Sequence, residues 1–212
     1  MNAGDREQLR RQLRQRRRAL PAAERAAAAR SFARILQRHR LLRPGCRIAA
    51  YLAHGSEADL SDVIALARRR GCKVYLPAIT NQREGRMAFV RYDPDAALRI
   101  NRHGIREPDP RQARRIGVRQ LDLVLVPLVG FDERGWRLGS GAGYYDRALR
   151  HLRGARHWRR PRLIGVGYEF QRVPRLEPAP WDVPLDALLT PRALHAVRRA
   201  ATTTDPSSKD PT

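Results

Sequence analysis

The chain is short of cysteine, lysine and aromatic residues, and it has no long apolar run. Each shortage removes a class of function. Cys46 and Cys72 are the only cysteines in 212 residues, and their spacing is not that of metal ligands. This argues against a disulfide framework and leaves two buried, reduced thiols as the expectation. The six histidines are scattered, with no HxxxH pattern, so no structural transition-metal site is expected. No stretch of 18 apolar residues occurs, so no membrane-spanning helix is expected. The basic N-terminus has no apolar segment behind it, unlike a secretory signal, and Asp5, Glu7 and Glu24 interrupt what a mitochondrial presequence keeps free of acid. The cytoplasm is the expected location.

Lysine is nearly missing from a very basic chain. Lys73 and Lys209 are the only two among 43 basic residues, and the formal net charge is +22. Such a charge points toward polyanions. An excess of Arg and Ala with little Lys is also what a GC-rich coding bias produces, and that reading needs no partner. No aromatic residue interleaves with the arginines of 5–18, so a nucleic-acid arm lacks the stacking groups that accompany such charge.

What is present alternates apolar strands with helical patterns. Residues 5–19 read as a helix in which Arg6, Arg10 and Arg14 share a face, one turn apart. Their guanidinium groups converge on one anion or form a solvated basic face. A second helix starts at Leu20-Pro21 and fades near Leu42. A strand at Arg47–Leu52, a helix from Asp59 or Ser61 to about Arg70, and a strand at Lys73–Pro77 form a parallel crossover. Met87–Tyr92 alternates as a strand. Residues 93–120 are rich in Pro, Gly, Asn and Asp and read as one long irregular stretch, the kind of loop that carries function. Strands follow at 122–126, 163–166 and 185–189, with a helix from about Gly143 to Leu152 and a short one from Pro191 to about Ala200.

The centre of the chain is Leu121–Leu149. An unbroken apolar strand leads through a polar turn to Gly139-Ser140-Gly141-Ala142-Gly143 and then to Tyr144-Tyr145-Asp146-Arg147. Glycines before a helix start let an anion approach backbone N–H groups. No GxxxxGK[ST] is present, and Tyr144 stands where a dinucleotide fingerprint needs its third Gly. By spacing alone the stretch is an anion cradle or a tight turn. Arg137 beside it and Asp146 in the first helical turn favour polyphosphate with Mg²⁺; a first-turn carboxylate also complements a helix dipole.

The RLGSGAGYYDR core, within Val126–Arg147, resembles the signature of the 5-formyltetrahydrofolate cyclo-ligase (5,10-methenyltetrahydrofolate synthetase) family. The likeness extends over nearly the whole folded chain. It includes Arg6-Glu7-Gln8-Leu9-Arg10, Tyr51-Leu52 with Glu57, Gly104-Ile105-Arg106-Glu107-Pro108, and Trp181-Asp182-Val183-Pro184-Leu185-Asp186. The resemblance implies an ATP- and Mg²⁺-dependent closure of 5-formyltetrahydrofolate, with or without a polyglutamate tail, to 5,10-methenyltetrahydrofolate, through a phosphorylated formyl group. It implies that Arg6, Arg10, Arg137, Leu138, Gly139, Ser140, Gly141, Ala142, Gly143, Tyr144 and Tyr145 hold ATP. Arg10, Leu52, Glu57, Gly141, Gly143, Tyr144 and Tyr145 would meet the folate, and Asp146 and Asp182 the metal. Arg137, Tyr145 and Asp146 would be the catalytic groups. Two positions depart from the pattern: Arg6 where Lys is usual, and Ala142 where some members have Lys and others Gly.

The expected architecture is a Rossmann-like three-layer α/β/α domain, residues 1–200, with a mixed, largely parallel sheet. A helical N-terminal arm at 5–42 packs on it, and a disordered tail occupies 201–212. A monomer without membrane or specific nucleic-acid partners is expected. Two other readings use the same residues: a nucleic-acid-binding protein working through the basic arm, and a nucleotide-dependent kinase, ligase or sensor acting on something other than folate.

Overall fold

The computed structural model describes residues 2–81, 83–101, 104–111, 114–152 and 161–197. Two helices open the chain, α1 (Ala3–Arg18) and α2 (Ala22–Arg38). The elements β1 (Arg47–Ala49), α3 (Ser61–Arg69), β2 (Lys73–Asn81) and β3 (Arg86–Arg91) follow. Short strands β4 (Leu98–Ile100), β5 (Arg106–Pro108) and β6 (Arg115–Ile116) precede β7 (Leu123–Pro127). A hairpin of β8 (Gly130–Phe131) and β9 (Arg137–Leu138) leads to α4 (Tyr144–Leu149), then β10 (Arg162–Val166), β11 (Ala187–Leu189) and β12 (Leu194–Ala196).

The main sheet has the order β12-β11-β10-β7-β1-β2-β3-β6. Its five central strands are parallel, from β11 to β2. The antiparallel pairs lie toward the edges. The α/β architecture and the mixed, largely parallel sheet are therefore as the sequence led one to expect. A parallel strand covered on both faces has no polar side to show, and β7 has none. Leu123 and Leu125 pack with Phe32 and Leu36 of α2 and Val63 of α3. Val124 and Val126 point the other way, into a cluster with Phe131, Leu149 and Leu185.

That division places the functional crevice. The connection leaving β1 runs through α3, on the first face, to β2. The connection leaving β7 runs through α4, whose Leu149 belongs to the second face, to β10. Since β1 and β7 are neighbours, the two crossovers diverge there and open a crevice at the strands' carboxyl ends. The helix α1 lies across that end: Leu13 packs with Val129 and Leu138, and Arg17 donates to Ser56 Oγ at 3.1 Å and to Leu128 O at 3.2 Å.

Several expectations need correction. Residues 93–120 are not one irregular loop. They hold the β4–β5 pair and β6, which joins the main sheet beside β3. Strand β2 does not stop at Pro77 but runs to Asn81. Beyond Tyr75 it has left β1 and pairs only with β3, so the missing Pro77 N–H interrupts no ladder on the open side. The helix expected after Pro191 is the strand β12 within the described residues. Thr190 N donates to Ala193 O at 3.0 Å and reverses the chain, laying Leu194–Ala196 against β11. The C-terminal tail at 201–212 lies outside the described residues.

Gly165 of β10 sets the spacing behind the crevice. A Cβ there would sit 2.5 Å from Leu185 Cδ1 and 2.7 Å from Leu128 Cδ2. Gly165→Ala is expected to cost about 1–3 kcal/mol by overpacking, read as a lower urea midpoint with an unchanged m value.

Candidate active site

The crevice is a cleft of about 620 Å³. Tyr51 and Leu52 extend from β1, Pro127 to Val129 from β7, and Leu76 to Ile79 from the half of β2 that has outrun β1. The fourth wall is the glycine loop, with α1 and the segment around Asp182 closing over it.

The loop between β9 and α4 has almost no side chains with which to hold its shape. Gly141 and Gly143 adopt φ +105° and +68°, the region where a side chain is strained. Arginines from elsewhere hold it. Arg10 Nε donates to Gly139 O at 3.0 Å, and Arg14 Nη2 donates to Ser140 O at 2.8 Å. Arg147 Nη2 donates to Ala142 O at 2.6 Å while its Nε donates to Gly85 O at 3.0 Å. The cation beside Ala142 is therefore Arg147. The helix that follows is shorter than expected: α4 has six residues and ends in a 3-10 turn at Arg150–Leu152. Its dipole is correspondingly small.

Two carboxylates stand at the same wall. Asp146 pairs with Arg137, whose side chain is buried and also donates to Val183 O at 2.7 Å. Asp182 accepts from Ala179 N at 2.8 Å and lies 3.7 Å from Arg6 Nη2. Arg6 additionally donates to Glu177 O at 3.1 Å, so the first arginine of α1 serves a different segment from the next two. Burial holds the Asp146 carboxyl above the usual range. Arg137 opposes that and the charge of Asp182 adds to it. Two carboxylates at one wall are a donor set for a divalent cation that arrives with other oxygens. Among the described residues no group of three or more His, Cys, Asp or Glu is placed to hold a metal alone.

Glu57 sits elsewhere in the cleft, on the loop after β1, with His54 N donating to its Oε2 at 3.1 Å. Tyr51 and Tyr145 are held protonated, first by burial and then by Glu57. The charge of Arg137 acts on Tyr145 in the opposite sense. Glu107 lines the cleft but is occupied: it accepts from Ile79 N at 3.0 Å, Asn101 Nδ2 at 3.0 Å and Arg99 Nη2 at 2.9 Å. Its role is to bind β4 and β5 to β2.

Of the residues anticipated from the sequence, Arg6, Arg10, Leu52, Glu57, Arg137, Tyr144, Tyr145, Asp146, Asp182 and the loop Gly139–Gly143 all line this cleft. Leu138 does not: its side chain is fully buried against Leu13 and Val129, so it anchors the loop from below. Sequence reasoning named Arg14 only as sharing a face with Arg6 and Arg10, and missed Arg17 and Glu107 as site-building groups. Arg17, one turn further, carried no signal apart from that spacing. The arginines at 6, 10, 14 and 17 are thus committed to the cleft.

Residues 2–191 match the model of the 5-formyltetrahydrofolate cyclo-ligase family. The 5-formyltetrahydrofolate cyclo-ligase of Escherichia coli K12 is 34% identical over 179 residues, covering 84% of this chain and 96% of the relative. That of Haemophilus influenzae is 32% identical, over 89% of this chain and 99% of its own. The solved structure of Aquifex aeolicus 5,10-methenyltetrahydrofolate synthetase superposes with a TM-score of 0.77 at 26% identity, covering 97% of this chain and 99% of that one. A Mycoplasma pneumoniae 5,10-methenyltetrahydrofolate synthetase gives 0.67 at 25% identity, with 87% and 97% covered.

The raised Asp146 pKa gives a sign to the pH dependence of the free protein. A carboxyl whose folded pKa is raised contributes stability that is full below its unfolded pKa and is lost as pH rises through the folded value. Comparing thermal midpoints of wild type and Asp146→Asn across the acid range should show this loss only in the wild type. Parallel curves would contradict the burial-driven shift.

Proposed function

Because the chain belongs to the 5-formyltetrahydrofolate cyclo-ligase family, we propose that it converts 5-formyltetrahydrofolate to 5,10-methenyltetrahydrofolate, using ATP with Mg²⁺ and releasing ADP and phosphate. The observation that carries this reading is one cleft shared by an arginine-tied glycine loop, the Asp146–Asp182 pair and Glu57. Three loop carbonyls already accept from Arg10, Arg14 and Arg147. What the loop retains for a ligand is its N–H groups, which suit phosphate oxygens. Asp146 and Asp182 would hold Mg²⁺, which neutralises charge on the phosphates when bound. Glu57 would accept from N–H donors of the pteridine, and Leu52 would pack on the folate.

The formyl oxygen on N5 is a weak amide nucleophile. It attacks the γ-phosphorus, the bond to the bridging oxygen breaks, and ADP leaves. N10 then attacks the activated formyl carbon. Loss of phosphate and of the N10 proton leaves the N5–C–N10 methenyl bridge. No enzyme nucleophile is needed. Such chemistry asks for alignment and charge neutralisation, and this chain offers groups for both: Arg137, buried and paired with Asp146, and Tyr145 on the cleft wall.

Purified protein with 5-formyltetrahydrofolate should generate methenyl absorbance only when ATP and Mg²⁺ are both present. Asp146→Asn, which keeps a hydrogen-bonding partner for Arg137, should lower kcat/KM by at least about a hundredfold while leaving the protein folded. Full ATP- and Mg²⁺-dependent turnover in that variant would overturn the metal assignment. Absence of turnover in the wild type would overturn the reaction.

A further inference from the structure

Two of the arginines that hold the glycine loop stand outside the cleft. Gly139 to Gly143 all line it, and so does Arg10, but Arg14 and Arg147 do not. Arg14 reaches in from α1 to donate to Ser140 O at 2.8 Å. Arg147 reaches back from α4 to donate to Ala142 O at 2.6 Å.

These bonds have a stereochemical consequence. A trans peptide unit is planar, with its C=O and its N–H pointing in opposite directions. Drawing Ser140 O out toward Arg14 therefore turns Gly141 N–H inward. Drawing Ala142 O out toward Arg147 turns Gly143 N–H inward in the same way. Gly141 and Gly143 are the loop residues with positive φ, so the backbone that presents these two N–H groups is one that other residues rarely adopt. N–H groups presented together from a short stretch of backbone make an anion-binding concavity.

The two guanidinium groups are themselves held. Arg147 Nε donates to Gly85 O at 3.0 Å, and its guanidinium carbon lies 5.4 Å from the centre of the Tyr144 ring. Arg14 follows the buried Leu13 and precedes the buried Arg17 on α1, so its base is fixed by the seating of that helix. Both peptides are thus oriented before any ligand arrives.

We propose that Arg14 and Arg147 are positioning residues for the nucleotide phosphates, acting from outside the cleft by turning the Gly141 and Gly143 N–H groups into it. The assignment rests on the reading of this loop as the ATP site. Neither guanidinium touches the nucleotide. Removing one leaves every group on the cleft wall in place but frees a peptide unit, whose reordering then opposes binding.

The test is equilibrium titration of the whole chain with ADP and Mg²⁺, which needs no turnover. In Arg14→Met and in Arg147→Met the Kd should rise about tenfold, the cost of reordering one backbone residue. The thermal midpoint of the free protein should not change, because both bonds lie at the exposed surface. Two further variants separate orientation from charge. Arg11 is exposed on the same helix, and Arg11→Met removes a charge without touching the loop, so its Kd should stay at the wild-type value. Arg147→Lys keeps the charge but loses the planar fork that spans Gly85 O and Ala142 O, so most of the affinity loss should remain. Wild-type Kd in both Met variants at 14 and 147, an equal loss in Arg11→Met, full affinity in Arg147→Lys, or a lowered thermal midpoint in both Met variants would each overturn the assignment. If the wild type binds ADP but does not close the folate, the reaction falls and the Kd values still decide the assignment. If the wild type does not bind ADP, the nucleotide reading and this assignment fall together.

Discussion

A loop made of glycine cannot hold its own shape, and the structure around the cleft answers that constraint. Residues 139–143 gain ligand access because they lack side chains, and for the same reason they have no packing of their own. Their carbonyls are gripped instead by guanidinium groups carried on other elements, chiefly Arg10 and Arg14 of α1. That makes the position of α1 a condition of the site. The helix is seated by Leu13 in a small cluster with Val129 and Leu138, and by Arg17, buried between the loops that leave β1 and β7. Gly130 lets it come close: a Cβ there would lie 2.8 Å from Leu13 Cδ1. Leu138, the residue that precedes the glycines, is in the same cluster. The basic arm is therefore part of the cleft's architecture, and the four arginines on its inner face have specific partners.

The second organising fact is topological. The crossovers leaving β1 and β7 part to opposite faces and open a gap between them. Into that gap come residues from both strand ends and from β2 where it has outrun β1. Charge is distributed unevenly across it. Asp146 pairs with Arg137 and Asp182 stands near Arg6, while Glu57 is on the loop after β1, held by His54 N. Tyr145 feels both sides.

Much of this was legible in the sequence, and the illegible part has a physical pattern. β7 was readable because a strand buried on both faces must be apolar throughout, and the glycine run because few other jobs require that residue. The elements missed are those whose existence depends on a distant partner. The strands β8 and β9 are two residues each, too short for any periodicity. Their turn is held by Asp132, which is wholly buried and accepts from Arg134 N and Trp136 N. β4 and β5 are joined by Glu107 reaching β2. Pro77 looked like a strand end because a proline interrupts a ladder; only the length of β1 reveals that there is no ladder there to interrupt. Arg17 resembles every other arginine of α1 until Leu128 and Ser56 are brought beneath it. Local pattern carries elements that bury a face, and says little about those clamped by one polar contact.

Arg147 ties two parts of the chain that otherwise have no reason to vary together. One nitrogen holds Ala142 O and another holds Gly85 O, and the guanidinium occupies the space where a side chain at Gly85 would have to go. The turn between β2 and β3 is a surface hairpin, ordinarily the part of a fold where length and composition drift freely. Here that drift is coupled to the glycine loop. An insertion or bulky residue near position 85 would displace Arg147 and release Ala142, altering the cleft from a residue that does not line it. Evolution can remodel this hairpin only by also finding the glycine loop a new anchor.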